Sequence, residues 1–220
     1  DIGNRPLPLR QQAAPAVVAP LSAFSRRALA ISDGALIPGR QHRDLRFNLQ
    51  YGLPMTNPAL ASAWRREINR ASERAEFDYP DAQGLPALRE QICDYLRRRR
   101  GVEATPENIL VISGTQQAFA LASRVLLDAG DRVVLEDPHY RGARQIFASY
   151  GARVLGVRVD AEGLVPAALP KQASLAVVTP SHQFPTGAWL PLSRRVELLE
   201  WATAKRCWLI EDDYDGEFRF

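Results

Sequence analysis

Four short polar stretches hold side chains that could bind a flat, charged ligand. In the first, Ser113-Gly114-Thr115-Gln116-Gln117, the glycine lets the chain turn tightly, and the amides of Thr115 and Gln116 open a helix. Free amides at a helix N-terminus bind phosphate, and the threonine hydroxyl adds another donor. Any turn from a strand to a helix favours the same residue types, so this stretch alone predicts either a phosphate cradle or an ordinary turn.

The next two stretches offer an aromatic ring and a rigid polar loop. Tyr140 ends the stretch EDPHY of residues 136–140, and its ring could lie on a flat ligand or pack on a sheet. Residues 180–187, PSHQFPTG, include His182 and Gln183 between two prolines and a glycine. A rigid polar loop of this kind, placed at the end of a strand, favours a binding role.

The fourth stretch, EDDYDGEFRF of residues 211–220, has four acidic residues in its first five positions. These carboxylates could hold a divalent metal ion, or one of them could face a single protonated nitrogen. An Asp at hydrogen-bonding distance keeps a pyridine nitrogen protonated and makes that ring an electron sink. A plain solvated acidic turn is disfavoured, because Tyr214 and two phenylalanines are interleaved with the acids.

The elements that must position these stretches alternate between strand and helix. Short apolar strands are predicted at residues 109–113, 132–135, 153–159, 175–179 and 207–210. Helices are predicted at residues 116–127 and 140–150, with a third capped by Ser193 and running to about Ala204. This order predicts an α/β fold with a mainly parallel sheet flanked by helices on both faces, and ligands then bind at the carboxyl ends of the strands. Neither GxGxxG nor GxxxxGK[ST] occurs, so dinucleotide and P-loop sites lack their motifs.

Two more helices precede this alternation. Asn57 is expected to cap the first, with Pro58 in its first turn. The second starts near Leu85 and ends in four arginines, residues 97–100, before Gly101. The arginines are consistent either with a nucleic-acid patch or, as we favour, with cations at the negative end of a helix dipole and glycine as the C-cap.

Length and composition exclude several protein classes. The chain has 220 residues, 28 Lys+Arg against 25 Asp+Glu, and 46% hydrophobic residues, which excludes global disorder. Cys93 and Cys207 are the two cysteines, and they form no CxxC motif, which disfavours a disulfide framework or a zinc site. No apolar run is long enough for a membrane span, and no targeting segment is visible, so we expect a cytoplasmic protein.

The basic character of the chain is concentrated at its N-terminal end. Residues 1–46 contain seven Arg and three Asp, a net charge of +4 within a total of +3, together with five prolines. Proline fixes φ and removes a donor, so this stretch is predicted to be a linker with room for one helix, Leu21–Ile31. The linker is either a solvated tether or a tether that also contacts DNA phosphates.

Taken in order, the four stretches resemble those of fold-type I enzymes that depend on pyridoxal 5'-phosphate, the aspartate aminotransferase superfamily. The motifs SHQFPTG and EDDYDGEFRF, together with YPDAQG at residues 79–84, are more similar to the aminotransferase-like domain of the MocR/GabR subfamily of GntR transcription regulators. The resemblance covers about residues 47–220, which would form the N-terminal part of that cofactor-binding domain.

The resemblance implies a role for each matching residue. The family's phosphate-binding turn matches Gly114, Thr115 and Gln116, and the aromatic that stacks on the cofactor ring matches Tyr140. Asp212 matches the partner of the pyridine nitrogen, and Tyr214 matches the donor to the phenolic oxygen. His182 and Gln183 match the loop beside the ring. Tyr79 matches the Tyr that, in head-to-tail homodimers, reaches the phosphate of the partner's cofactor.

Two departures from the family pattern bear on function. Phe184 stands where standard aminotransferases have an Asn before Pro-Thr-Gly, which favours the regulators. Lys171 and Lys205 lie in no matching motif, and the family's Schiff-base lysine, substrate-carboxylate Arg and winged helix-turn-helix would all lie outside these residues. We therefore expect the chain to be the middle of a longer protein.

Three functions follow as hypotheses. The first is the effector-sensing domain of a transcription regulator, which binds pyridoxal 5'-phosphate and an amino acid or amine, and which reaches DNA through a domain outside this chain. The second is a true aminotransferase acting on an amino acid or amine. The third is an α/β interaction module without cofactor.

Overall fold

The computed structural model describes residues 20–31, 46–47, 57–73 and 78–218. Most of the predicted linker, residues 1–46, therefore lies outside the described residues. Within the described ranges, no helix is both long and apolar enough to cross a membrane.

A five-stranded sheet forms the centre of the structure. Its strands are β1 (Arg132–Asp137), β2 (Arg153–Asp160), β3 (Gly163–Leu164), β4 (Leu175–Val178) and β5 (Trp208–Glu211). They lie in the order β3-β2-β1-β4-β5. All pairs are parallel except the short β2–β3 pair, which confirms the predicted mainly parallel sheet. In register, Val133 of β1 faces Leu175 of β4, which in turn faces Trp208 of β5.

Six α-helices accompany the sheet in the described part of the chain, with two short 3-10 helices, Pro106–Asn108 and Pro166–Ala168. The α-helices are α1 (Ala23–Ile31), α2 (Pro58–Glu73), α3 (Pro86–Arg100), α4 (Thr115–Leu126), α5 (Arg141–Ser149) and α6 (Leu192–Lys205). The side chains of alternate β1 residues point to opposite faces, so the sheet has two apolar layers. Val133 and Leu135 pack with Phe119 of α4 and Phe147 of α5, whereas Val134 packs in the layer that contains Leu198 of α6. Helices thus cover both faces, as the α/β prediction requires.

Several local predictions hold. The Asn57 side chain accepts a hydrogen bond from the amide of Ala59 at 2.8 Å, so it caps α2 as expected. Gly101 ends α3 in the left-handed conformation, with φ of 64°, and its amide bonds the carbonyl of Arg97. Glycine adopts this φ without the steric cost that a Cβ brings, which explains its place at the C-cap.

Other local predictions are wrong. Residues 109–113 do not form a strand: the Val111 amide bonds the carbonyl of Gln83 at 2.8 Å, but no strand pairs with this segment among the described residues. An apolar run becomes a strand only where a neighbour satisfies its backbone groups. Ser193 is not the cap of α6, because the helix begins one residue earlier, after Pro191. β1 continues to Asp137, past its predicted end at residue 135.

Helix α1 lies against α5, on the outside of the sheet. The rings of Phe24 and Tyr150 meet edge-on with centroids 4.9 Å apart. The Arg27 guanidinium donates to the carbonyl of Ser149 at 2.9 Å. Ile31, at the other end of α1, lines a cavity together with His139. The helix predicted within the linker is therefore present, and it packs on the folded body.

Candidate functional site

The candidate site is a small cleft, about 20 Å³ in volume, at the carboxyl ends of β1, β4 and β5, where ligands bind in open α/β sheets. Its floor consists of sheet residues and the buried face of α5. The side chains that line it are Phe119, Leu135, Glu136, His139, Tyr140, Ala143, Val177, Val178, Thr179, Phe184 and Asp212. The structure thus brings the second, third and fourth polar stretches of the sequence to one place.

Three aromatic rings run across the mouth of this cleft. Phe184 lies in the middle, edge-on to Tyr140 at 6.3 Å and edge-on to Tyr214 at 6.1 Å between centroids. The Tyr140 hydroxyl accepts a hydrogen bond from the Gln116 side-chain amide at 3.2 Å. Gly142 is buried beneath these groups, and a Cβ at that position would overlap the Tyr140 ring and the Gln116 amide. A larger residue there would therefore displace the Tyr140 ring and the Gln116 amide.

Helix α4 begins beside Tyr140, at the turn for which the sequence predicts either a phosphate cradle or an ordinary turn. Gly114 is its N-cap, with φ of 136°, and the space where its Cβ would lie is open. The Gly114 carbonyl accepts hydrogen bonds from the amides of Gln117 and Ala118, which closes the first turn. The amides of Thr115 and Gln116 precede that turn and remain available to an anion, as in other helix N-termini.

A buried carboxylate, Glu136, organises the wall of the cleft. It accepts a hydrogen bond from the Thr179 hydroxyl at 2.6 Å and one from the Gln183 amide at 3.0 Å. The same Gln183 side chain donates to the carbonyl of Pro138 and accepts from the Thr186 hydroxyl at 2.6 Å. Burial raises the pKa of Glu136, and the two hydrogen bonds oppose that shift. This network fixes the loop that carries Phe184.

Asp212 lies directly after β5, and its amide bonds the carbonyl of Val178 at 2.9 Å. Its carboxylate is half-buried, and no described residue forms a hydrogen bond or an ion pair with it. Burial raises the pKa of Asp212, and the neighbouring charge of Asp213 raises it further. A cation placed against this carboxylate would favour its ionised form. The site therefore offers the hydrogen-bond acceptor that a protonated pyridine nitrogen needs.

The other acids of this stretch face away from the cleft. Asp213 pairs with Arg100 at 2.6 Å, and Asp215 lies 2.9 Å from Nδ1 of His182. Among the residues that the structure describes, no group of three or more His, Cys, Asp or Glu is arranged to hold a metal ion. The acidic run is thus divided, because Asp212 lines the cleft whereas Asp213 and Asp215 contact Arg100 and His182.

The remaining predicted site residues lie at the rim or away from the cleft. Tyr214 is half exposed, and its hydroxyl donates to the carbonyl of His182 at 3.1 Å. His182 lines an adjoining groove together with Trp189 and Arg195. Tyr79 is 99% exposed and lies apart from the cleft. The structure thus groups Tyr140, Gln116 and Asp212 closely, places Tyr214 and His182 at the edge, and leaves Tyr79 outside.

Sequence reasoning missed the roles of Glu136 and Thr179. Glu136 was expected to follow a strand, yet it lies within β1 and is 4% exposed. The available signal was its position directly after three buried apolar residues, because a strand that continued by one residue would bury the carboxylate and require partners for it. Thr179 supplies one of those partners from the end of the neighbouring strand.

Comparison with known proteins agrees with this geometry. The family model described as aminotransferase class I and II matches residues 48–218. The HTH-type pyridoxine biosynthesis transcriptional regulator PdxR of Corynebacterium glutamicum is 41% identical over 79% of this chain and 38% of its own length. The HTH-type transcriptional regulator TauR of Rhodobacter capsulatus is 43% identical over 74% of this chain and 32% of its own.

A solved structure gives the same result for the fold. LysN, the alpha-aminoadipate aminotransferase of Thermus thermophilus, complexed with N-(5'-phosphopyridoxyl)-L-leucine, is 33% identical with a TM-score of 0.61. The match covers 71% of this chain and 40% of that one, so the chain spans well under half the length of these relatives. The chain belongs to the aminotransferase class I and II family.

Proposed function

We propose that this chain is the cofactor-binding part of a MocR-type transcription regulator, which senses an amino acid or amine through pyridoxal 5'-phosphate. The observation that carries the proposal is the half-buried Asp212 carboxylate, which lies in a cleft beside Tyr140 and has no cation against it among the described residues. Two HTH-type regulators with 41% and 43% identity support the regulatory role.

Different residues of the cleft would bind different groups of the cofactor. Asp212 would bind the pyridine nitrogen, and the ring of Tyr140 would lie on the cofactor plane. The amides of Thr115 and Gln116 would bind the phosphate. When bound, pyridoxal phosphate supplies an electron-withdrawing ring, and Asp212 favours its protonated form. Tyr214 would donate to the phenolic oxygen, and His182 would flank the ring.

Phe184 supports a regulator over a transaminase. Its ring fills the middle of the aromatic row at the cleft mouth, where standard aminotransferases have an Asn donor. A phenyl ring donates no hydrogen bond, so the phenolic oxygen would have one donor fewer. The regulator would reach DNA through a domain outside this chain, with residues 1–46 as the linker and residues 47–220 as the N-terminal part of the cofactor domain.

The fully exposed Tyr79 suggests a contact outside its own subunit. We place it in a head-to-tail homodimer, where it would reach the phosphate of the partner's cofactor. A protein of this kind is expected in the cytoplasm, where DNA and free amino acids are available.

A true aminotransferase is the second candidate. It is favoured by the likeness to LysN, which was solved with a phosphopyridoxyl amino acid. The two candidates differ in turnover: the complete protein, incubated with an amino donor and a 2-oxo acid, should transfer no amino group as a regulator and should transfer it continuously as an enzyme.

Cofactor recognition itself is tested by comparing two ligands on the complete protein, because the family's Schiff-base lysine is expected outside these residues. Pyridoxal 5'-phosphate and pyridoxal differ by the phosphate alone, and each can be titrated against tryptophan fluorescence. The phosphate form should bind at least about 10-fold more tightly, because only it engages the α4 N-terminus. Equal affinities would contradict the proposed phosphate turn, and no saturable binding of either ligand would contradict the proposed function.

A further inference from the structure

We propose that Arg100 is a positioning residue of this site: it fixes the acidic segment 211–218 so that Asp212 and Tyr214 are held at the cleft. The inference rests on the proposed function, because it concerns how the cofactor's partners are oriented. It comes from contacts between the end of α3 and a segment more than 100 residues later in the chain.

The Arg100 guanidinium bridges two carboxylates of this segment. Its Nη2 lies 2.6 Å from Oδ2 of Asp213 and 3.2 Å from Oε1 of Glu217. The Tyr95 hydroxyl, from the same helix, donates to the same Glu217 carboxylate. Arg100 and Asp213 are 24% and 32% exposed, so their ion pair is partly shielded from solvent. The C-terminal end of α3 therefore contacts two acidic residues of the segment, Asp213 and Glu217.

Gly216 fits the same contact. It lies between the two carboxylates that Arg100 binds, and a Cβ at this position would overlap the Arg100 guanidinium and the Asp213 side chain. The absence of a side chain lets the segment approach the guanidinium closely.

The four arginines at the end of α3 are not equivalent. Arg97 pairs with Asp94 on its own helix, one turn earlier. Arg98 and Arg99 are exposed and make no ion pair with any described residue, whereas Arg100 alone of the four reaches the acidic segment. A favourable interaction with the helix dipole applies to all four, so it does not account for this difference. Arg99 is therefore a matched control for Arg100.

The ion pair between Arg100 and Asp213 affects Asp212 because Asp213 is the next residue in the chain. Asp212 and Asp213 are adjacent, and their side chains reach opposite sides: one lines the cleft and the other meets Arg100. Loss of Arg100 would free the segment to move and would leave the Asp213 charge uncompensated beside Asp212. The first effect weakens the hold of Asp212 on a cationic ring nitrogen. The second opposes it, because a negative charge attracts that nitrogen, so a net loss of affinity reports the lost positioning.

Hydrogen exchange of the cofactor-free chain tests the positioning directly. The variants are Arg100→Ala, Arg100→Lys and the control Arg99→Ala, with circular dichroism to verify that each is folded. We expect Arg100→Ala to speed exchange across residues 211–218, including the Phe218 amide that bonds Asp215, by about 10-fold. Arg99→Ala should leave it unchanged. Arg100→Lys should be intermediate, because an ammonium is a more strongly hydrated point charge on a flexible stem and holds a fixed geometry less well than a planar guanidinium does.

Affinity for pyridoxal 5'-phosphate is the second readout. Arg100→Ala should weaken binding about 3- to 10-fold, and Arg99→Ala should stay within about 2-fold of wild type. If Arg100→Ala and Arg99→Ala show the same exchange, or if exchange rises without loss of affinity, the positioning role is overturned. If the complete wild-type protein binds no cofactor, the proposed function fails, and the exchange comparison still decides whether Arg100 fixes the segment.

Discussion

Glu136 provides a sharp test of how the wall of the cleft is held. Its carboxylate is 4% exposed and accepts two hydrogen bonds, from Thr179 and Gln183. We consider two substitutions, Glu136→Ala, which removes the acceptor, and Glu136→Gln, which keeps the shape and leaves one oxygen able to accept both bonds. The two variants separate the effect of the hydrogen bonds from that of the buried charge.

The size of the effect follows from the partners left behind. Without Glu136, the Gln183 amide still bonds the carbonyls of Pro138 and Phe184. The Thr179 hydroxyl still accepts from the Phe184 amide, but it loses its own acceptor. One buried donor is thus left unsatisfied, which costs about 1–3 kcal/mol, and removal of the side chain adds a cavity. Glu136→Ala should therefore lower the free energy of unfolding by about 2–4 kcal/mol.

The pH dependence has a definite sign. Burial raises the pKa of Glu136 above its ordinary value of 4.5, so the folded chain holds this proton more tightly than the unfolded chain does. Between the unfolded and the raised folded pKa, stability falls as the pH rises, because the folded state must then bury a charge. Glu136→Gln cannot ionise, so its contribution to this slope should disappear, and at neutral pH it should be at least as stable as wild type.

Urea unfolding followed by tryptophan fluorescence, at several pH values from 4 to 8, measures both effects. The expected order at neutral pH is Glu136→Gln equal to or above wild type, with Glu136→Ala lowest. Equal losses in the two variants would refute the expectation that the hydrogen bonds to Glu136, and not its buried charge, stabilise this wall. An unaltered pH slope in Glu136→Gln would refute the claim that this residue titrates with a raised pKa.

Two further predictions concern packing. Gly142→Ala should lower the free energy of unfolding by about 1–3 kcal/mol and should weaken cofactor binding, because its Cβ would displace the Tyr140 ring. The control is Gly156→Ala, whose Cβ would lie 3.3 Å from Asp137 Cβ, and it should lower stability less. Equal losses in the two variants would contradict a tight fit at Gly142. Phe24→Ala should speed hydrogen exchange in α1 and cost about 1 kcal/mol through loss of the Tyr150 contact. Leu29→Ala, at a 66% exposed position of the same helix, should leave that exchange unchanged, and a similar effect of both variants would mean that α1 is not held by Phe24.

Much of the fold could be predicted from the sequence because local signals and the global pattern agree. The runs at Val133–Leu135 and Leu175–Val178 are short, apolar and followed by polar residues, which is typical of buried parallel strands. The segment at residues 109–113 has the same appearance, yet it pairs with no described strand. Pairing depends on what lies alongside in space, and a single run of residues does not contain that information.

The site was predictable in part. The resemblance pointed to Tyr140 and Asp212, and both line the cleft in the structure. It did not indicate that Glu136 and Thr179 form its wall, or that Arg100 binds the acidic segment. These contacts join residues 43 and more than 100 positions apart, so spacing along the chain could not predict them.

The central claim is that the Asp212 carboxylate holds the cofactor's ring nitrogen. The most direct measurement is a fluorescence titration of pyridoxal 5'-phosphate into the complete protein as wild type, as Asp212→Asn and as the control Glu211→Gln, which changes an exposed neighbouring carboxylate. We predict saturable binding by wild type and control, and at least about 10-fold weaker binding by Asp212→Asn, because a neutral amide loses a charge-assisted hydrogen bond. Equal affinity in Asp212→Asn and wild type would contradict the claim.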